Sequence, residues 1–225
     1  MATASTPTRS RSSHPACCAH SGRPRRPRRP TAVRILFVGG ALERKGGDLL
    51  LDAFQDVRAE LGNEGRADDV ELHLATGAPI REAPGVVVHE GLEPNSSALV
   101  ELYHRSDIFC LPTRADTHAI VLSEAATAGL PIVATAIAGL PEVVRDDETG
   151  LIVPVDDRVA LVRALLELVR SPELRQRLGH GAGTLAARDL DAEKNTSRLV
   201  ELVASFRAER PRARRGLESE VARAR

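Results

Sequence analysis

Residues 107–135 have the sequence DIFCLPTRADTHAIVLSEAATAGLPIVAT, in which two short apolar runs enclose a polar loop and a helical stretch. The apolar runs at 107–111 and 131–135 have strand length and predict buried strands. A helix from about residue 118 to 128 is expected between them, because Gly129 followed by Pro131 is a helix-stop pattern. The stretch therefore predicts a strand–helix–strand unit.

The same alternation continues along the chain from residue 33. Continuously apolar strands are buried on both faces, and helices between them imply parallel pairing with right-handed crossovers. We predict an α/β fold, a single Rossmann-like domain with a doubly wound parallel sheet. Ligands bind such sheets at the carboxyl ends of the strands, here in the loops after residues 38, 111 and 135. The predicted strands are 33–38, 70–75, 86–89, 107–111, 131–135 and 150–153, and the predicted helices are 48–61, 96–105, 118–128, 157–170, one beginning at 171–173, and 191 to about 206.

The two ends of the chain differ in composition from its middle. Residues 1–34 contain eight Arg and no Asp or Glu, and residues 207–225 contain seven Arg and three Glu, so the middle of this neutral chain is acidic. We predict disordered basic tails at 1–32 and 207–225, since neither can bury enough apolar surface to fold. Arg clusters can also attract nucleic acid, but solvated tails are the simpler interpretation. Residues 1–34 also resemble an organelle transit peptide. A further alternative is that this segment is not native coding sequence.

Several functional classes find no support in the sequence. It contains no apolar run long enough for a membrane span and no secretory signal. Its three cysteines, Cys17, Cys18 and Cys110, give no disulfide framework, and no Cys/His spacing is typical of a zinc site. We therefore expect a cytoplasmic protein.

Two carboxylates, Asp116 and Glu124, lie on either side of the predicted helix start in this stretch. A helix start carries free backbone N–H groups and a partial positive charge, so it can hold a phosphate. If the helix begins near His118, Glu124 lies roughly 9 Å along its axis. This spacing suits a ligand with a diphosphate at its centre and a hydroxyl-rich sugar at each end, which is the shape of a nucleotide sugar.

A glycine-rich loop follows the first strand and leads to Lys45, beside the start of the next helix. Gly39 and Gly40 allow the backbone to approach a ligand closely, and Lys45 supplies a cation. The loop is not a phosphate-binding Walker A loop, because the Gly-x4-Gly-Lys-[Ser/Thr] pattern is absent. A common turn with a solvated lysine is the alternative interpretation of this loop by itself.

Residues 33 to about 182 resemble the nucleotide-sugar-binding, carboxyl-terminal half of the GT-B glycosyltransferases of the large retaining family 4 (glycosyl transferases group 1). Several motifs carry the resemblance, in the family's order and at its spacing. They are ILFVGG at 35–40, KGGDLLLDAF at 45–54, HEG at 89–91, LYHRSDIFCLPT at 102–113, the signature region at 116–135, AGLPEVV at 138–144 and TGLIVP at 149–154.

The resemblance implies a role for each candidate site residue. Glu124 is similar to the carboxylate that holds the ribose hydroxyls, and Asp116 to the one that contacts the transferred sugar. Lys45 resembles the cation that stabilises the departing diphosphate, while the backbone N–H groups of Ala119 and Ile120 would hold the distal phosphate. The implied donor is a UDP- or GDP-sugar, with Gly39 and Gly40 beside it. No cofactor or metal is expected, since Lys45 and a helix start already stabilise the diphosphate.

Four residues at three sites depart from the family pattern. The family usually has Arg at the position of Gly40, so one of two phosphate cations is missing there. Asp116 stands where Glu is usual and is one methylene shorter, which can shift sugar preference or weaken catalysis. His118 and Ala119 replace Phe-Gly. Ala119 can still offer its N–H, and His118 can donate to the donor or simply cap the helix.

The resemblance covers only one of the two Rossmann-like domains of a GT-B enzyme. We therefore expect residues 33–206 to be a donor-binding domain that transfers a glycosyl group with retention, as a fragment of a longer enzyme or with a separate acceptor-domain chain. The acceptor, the sugar and the base remain open. The alternatives are a nucleotide-sugar-binding module or truncated remnant without turnover, and a sugar-nucleotide epimerase of GT-B fold.

Overall fold

The computed structural model describes residues 32–117 and 119–209. His118 and most of the predicted tails lie outside these residues. The strands are β1 (Val33–Val38), β2 (Val70–Ala75), β3 (Val86–His89), β4 (Ile108–Leu111), β5 (Ile132–Thr135) and β6 (Gly150–Val153). The helices are α1 (Gly47–Asn63), α2 (Ser97–Arg105), α3 (Ile120–Thr127), α4 (Arg158–Arg170), α5 (Pro172–Asp189) and α6 (Ala192–Glu209), with short 3-10 turns at Ala67–Asp69 and Leu140–Glu142.

The six strands form one sheet in the order β3-β2-β1-β4-β5-β6, and each neighbouring pair is parallel. The chain winds outward from β1 to β3, crosses to β4 beside β1, and then winds outward in the other direction. This reversal makes a topological switch point at the carboxyl ends of β1 and β4, where such sheets bind ligands. The predicted doubly wound, Rossmann-like fold is confirmed.

The core lies between the sheet and the helices that cover it. Every residue of β4 and β5 is buried, and Ile35, Leu36 and Phe37 of β1 have no exposed surface. Helix α1 contributes Leu50 and Phe54 to the same core. Burial on both faces of the central strands explains why their sequences are continuously apolar.

The structure shifts several predicted boundaries. Pro131 precedes β5, since proline has no N–H for the sheet. Asp107 precedes β4, and its carboxylate accepts the Arg34 backbone N–H at 3.0 Å. Helix α3 begins at Ile120 instead of 118, because Ala119 has an extended backbone (φ −82°, ψ 96°), and it ends at Thr127. Helix α6 continues to Glu209, past the predicted tail boundary.

The later start of α3 changes the position of Glu124. Glu124 now lies four residues into the helix, about 6 Å along the axis instead of roughly 9 Å. No helix in the described part of the chain is long and apolar enough to cross a membrane.

Candidate functional site

The loops after β1 and β4 meet at the switch point and line an open cleft of about 350 Å³. Ile137, in the loop after β5, completes it. All three loops therefore lie where the sequence predicts. The residues that line the cleft are Arg44, Arg114, Ala115, Asp116, Thr117 and Ile137.

Gly46 lets the two loops approach each other closely. Its φ is +73°, in the left-handed region, and a Cβ at this position would lie 2.0 Å from the Pro112 carbonyl oxygen. Hydrogen bonds also join the two loops, and three of them involve Arg44. The Thr113 hydroxyl donates to the Arg44 carbonyl at 3.0 Å, the Arg114 N–H donates to the same carbonyl at 2.9 Å, and Arg44 Nη1 donates to the Ala115 carbonyl at 2.9 Å. The short loop around Lys45 is thereby fixed against the loop that carries Asp116.

Lys45 and Asp116 form a direct ion pair between Nζ and Oδ2. The two side chains are only 14% and 11% exposed. Burial opposes ionisation of Asp116, but the hydrogen bond and the charge of Lys45 outweigh it, and Arg44 adds to their effect, so the pKa of the carboxyl lies below its usual range. The structure thus brings into contact two residues to which the sequence assigned different parts of a ligand.

Glu124 is held by a residue that sequence reasoning did not identify as functional. The buried Tyr103 of α2 donates its hydroxyl to Glu124 Oε2 at 2.7 Å. Burial raises the pKa of the Tyr103 phenol, and the neighbouring Glu124 charge raises it further, so the phenol keeps its proton and remains a donor. In the sequence, Tyr103 stands only within the LYHRSDIFCLPT motif at 102–113, without a role of its own.

Arg114 is a second residue that the sequence did not single out. Its Nη1 donates to Asp48 Oδ1 at 2.7 Å and also to the Glu43 carbonyl, and its Nε donates to Asp156 Oδ1 at 2.6 Å. These side-chain bonds raise the pKa of Arg114. Arg114 therefore stays charged and joins the start of α1 to the loop after β6.

The helix starts at the cleft differ from the others in the described chain. Side chains cap α2, α4 and α5, and Asp191 accepts two N–H groups at the start of α6. Helices α1 and α3 instead follow Gly46 and Ala119, which provide no side-chain cap. At the start of α1, the Gly47 N–H donates to the Leu42 carbonyl and the Asp48 carboxylate accepts the Leu49 N–H. Because the first N–H groups of a helix have no intrahelical acceptor, the start of α3 can accept a ligand's anionic group.

The remaining predicted residues take different positions. The Gly39 N–H donates to the Ala75 carbonyl at 3.0 Å, so it extends the sheet pairing and is not free for a ligand. A Cβ on Gly40 would meet nothing within 4 Å. Ala119 is buried and Ile120 is 66% exposed at the α3 start. Among the described residues, no group of three or more His, Cys, Asp or Glu side chains could hold a metal ion.

Substituting Gly46 by Ala tests the contact between the loops. We expect the free energy of unfolding to fall by more than about 2 kcal/mol, because the left-handed backbone alone costs roughly 1–2 kcal/mol and the Cβ meets Pro112. Gly40→Ala is the matched control and should change it by less than about 0.5 kcal/mol. Urea unfolding measures both, and equal losses would contradict the close packing.

The Lys45–Asp116 pair predicts a pH dependence of stability. Because the pKa of Asp116 is lower in the folded than in the unfolded chain, its contribution is complete above the unfolded value of about 3.9 and disappears as pH falls through the folded value. The difference in unfolding free energy between the wild type and Asp116→Asn should thus be constant near neutrality and shrink below about pH 4. Urea titrations from neutral pH into acid measure it. A difference that stays constant would contradict the pairing.

Tyr103→Phe removes one hydroxyl and keeps the ring. We expect a loss of about 1.5–3 kcal/mol in unfolding free energy, as is typical of a hydrogen bond to a charged group. A double-mutant cycle with Glu124→Gln isolates the contact and should show a coupling energy of at least about 0.5 kcal/mol. Strictly additive effects would show that the hydroxyl and the carboxylate do not interact.

Comparison with known proteins identifies the family. The model of the family described as glycosyl transferases group 1 matches residues 32–171. A phosphatidyl-myo-inositol mannosyltransferase of Mycobacterium leprae is 32% identical over 179 residues, which are 75% of this chain and 45% of that protein. A D-inositol 3-phosphate glycosyltransferase of Xylanimonas cellulosilytica is 31% identical over 185 residues, which are 79% of this chain and 43% of that protein. The chain thus spans less than half the length of these two relatives.

Solved GT-B structures share the fold. The sucrose-phosphate synthase of Thermosynechococcus elongatus superposes with a TM-score of 0.62 at 21% identity, over 79% of this chain and 46% of the other. The pneumococcal O-GlcNAc transferase GtfA, determined with UDP and GlcNAc, gives 0.61 at 14% identity, over 78% and 38%. Together with the family match, the six-stranded parallel sheet and its switch-point cleft show that this chain belongs to the group 1 glycosyl transferases of GT-B fold.

Proposed function

We propose that the chain binds a nucleoside-diphosphate sugar at the switch-point cleft and supplies the donor-binding half of a retaining glycosyltransferase. One observation supports this most strongly. Lys45, Asp116 and the uncapped start of α3 converge at the carboxyl ends of β1 and β4. A cation and a helix start suit a diphosphate, and a carboxylate beside them suits a sugar hydroxyl.

The charges of the cleft are arranged before a ligand arrives. Lys45 is paired with Asp116, which holds its ammonium group in one direction. A diphosphate that enters the cleft would compete with Asp116 for Lys45, freeing the carboxylate to accept from hydroxyls of the transferred sugar. As the bond to the sugar breaks, Lys45 and the start of α3 would stabilise the charge that develops on the departing diphosphate. The proposal requires no metal, because these groups already provide positive potential.

Glu124 is proposed to hold the ribose. It lies about one helical turn beyond the α3 start, roughly 6 Å along the axis, which suits a ribose next to a phosphate bound there. Its hydrogen bond from Tyr103 fixes the carboxylate and leaves Oε1 to accept a ribose hydroxyl. The ligand would therefore run from the sugar at Asp116, through the diphosphate at Lys45 and Ala119, to the ribose at Glu124.

Acceptor binding is proposed to require another domain. The chain spans less than half the length of the two curated relatives described above, and the cleft is open to solvent. We propose residues 33–206 as the donor-binding domain, with the acceptor wall supplied by a further domain or by a separate chain. A closed cleft would exclude water, which protects the glycosyl group from hydrolysis.

A nucleotide-sugar-binding module without turnover is the second candidate. Two features of Asp116 favour the module. Its side chain is shorter than the glutamate that is usual in the family, and its carboxylate is paired with Lys45 and must be released before it can contact the sugar. Single-turnover assays for sugar release from UDP- and GDP-sugars, with and without candidate acceptors, discriminate the two. Turnover would support the transferase, and tight binding without turnover would support the module.

Calorimetric titration with UDP, GDP and ADP tests the site. Glu124→Gln should weaken the best-binding nucleotide about tenfold through loss of a charged hydrogen bond to ribose. Asp116→Asn should leave nucleoside-diphosphate affinity unchanged or slightly higher, while it weakens the corresponding nucleotide sugar. Glu101→Gln, on the exposed side of α2, is the matched control and should change neither. Unchanged affinity in Glu124→Gln would rule out the ribose assignment.

A further inference from the structure

Two arginines, Arg44 and Arg114, line the cleft, and Lys45 lies beside it in an ion pair with the lining Asp116. The charge of Lys45 is matched by Asp116, and that of Arg114 by Asp48 and Asp156. Arg44 lines the same cleft and is exposed. Arg44 forms no ion pair with any carboxylate in the part of the chain that the structure describes.

We propose that Arg44 is the principal diphosphate-binding cation of the cleft, a role that the sequence gave to Lys45 alone. The inference rests on the proposed function and names the cleft-lining arginine that forms no ion pair with a described carboxylate. An anion binds more favourably to a cation that is not already paired with a carboxylate, because no existing ion pair has to break first. Arg44 meets this condition, whereas Lys45 and Arg114 do not.

The position of Arg44 is fixed at both its backbone and its side chain. Its carbonyl accepts from the Thr113 hydroxyl and the Arg114 N–H, at 3.0 and 2.9 Å. Its Nη1 donates to the Ala115 carbonyl at 2.9 Å, which directs the guanidinium towards the loop that carries Asp116. A guanidinium has five N–H donors, so four remain, and two of them can bind a phosphate in the parallel geometry that arginine favours.

Gly40 provides an independent way to test the idea. The family pattern places an arginine at this position, four residues before Arg44. No atom lies within 4 Å of a Cβ built on Gly40, and its φ lies outside the left-handed region, so a side chain fits there without strain. Position 40 belongs to the same loop after β1, so an arginine introduced there returns a cation to this loop when Arg44 is removed.

The test is calorimetric titration of the full chain with UDP, GDP and ADP, with the matching monophosphates, and with inorganic pyrophosphate. We expect Arg44→Gln to weaken the best-binding diphosphate and pyrophosphate about tenfold, and the monophosphate by less than threefold. Arg44→Lys, which keeps the charge but loses the parallel donors, should show an intermediate loss. The control Arg163→Gln removes an exposed arginine of α4 that does not line the cleft, and should have no effect.

The double variant Gly40→Arg/Arg44→Gln should recover most of the lost affinity, and circular dichroism would verify that every variant folds. If nucleotides bind and Arg44→Gln binds them like the wild type, the inference is wrong and the proposed function stands. If pyrophosphate binds in an Arg44-dependent manner but no nucleotide does, the inference stands and the proposed function fails. If the wild type binds neither, both fail.

Discussion

The close approach of the Gly46 backbone to the Pro112 carbonyl is the constraint on which the rest of the site depends. A Cβ at residue 46 would lie 2.0 Å from that oxygen, so the loops after β1 and β4 can touch only because this position has no side chain. Sheet order brings the two loops to the same edge, and this contact sets their separation. Lys45 and Asp116, the neighbours of the contact, consequently come within ion-pair distance.

Electrostatics then distinguishes the cleft from the remainder of the surface. Its carboxylates are engaged by Lys45 or Arg114, and its helix starts have no side-chain caps, whereas the other described helices begin with a capping Ser or Asp. Groups held in this way need little rearrangement when a charged ligand binds, and this preorganisation is the main contribution of protein dipoles and charges to catalysis. The guanidinium of Arg44, which forms no ion pair among the described residues, gives the arrangement its preference for anions.

Much of the fold could be predicted from the sequence because its determinants are local. Strands of this sheet appear in the sequence as short apolar runs, so 33–38, 70–75, 86–89 and 150–153 were predicted with the observed boundaries. Ser171 followed by Pro172 also marked the start of α5 correctly. The start of α3 was placed two residues too early, because the extended backbone of Ala119 follows from its tertiary setting and not from helix propensity.

The contacts of the site could not be predicted in the same way. Tyr103 meets Glu124 across 21 positions, and Arg114 meets Asp48 and Asp156 across 66 and 42 positions. Each contact depends on the order of the strands in the sheet. The alternation of strands and helices along the sequence does not specify that order. The motifs identified Lys45, Asp116 and Glu124 individually, while the residues that hold them became visible only once the sheet order was known.

A crystal structure of the chain with bound UDP or GDP, whichever binds more tightly, tests the central claim most directly. The account predicts the diphosphate between the 39–46 loop and the start of α3, with the ribose hydroxyls at Glu124. A nucleotide bound elsewhere, or at the amino ends of the strands, would contradict it.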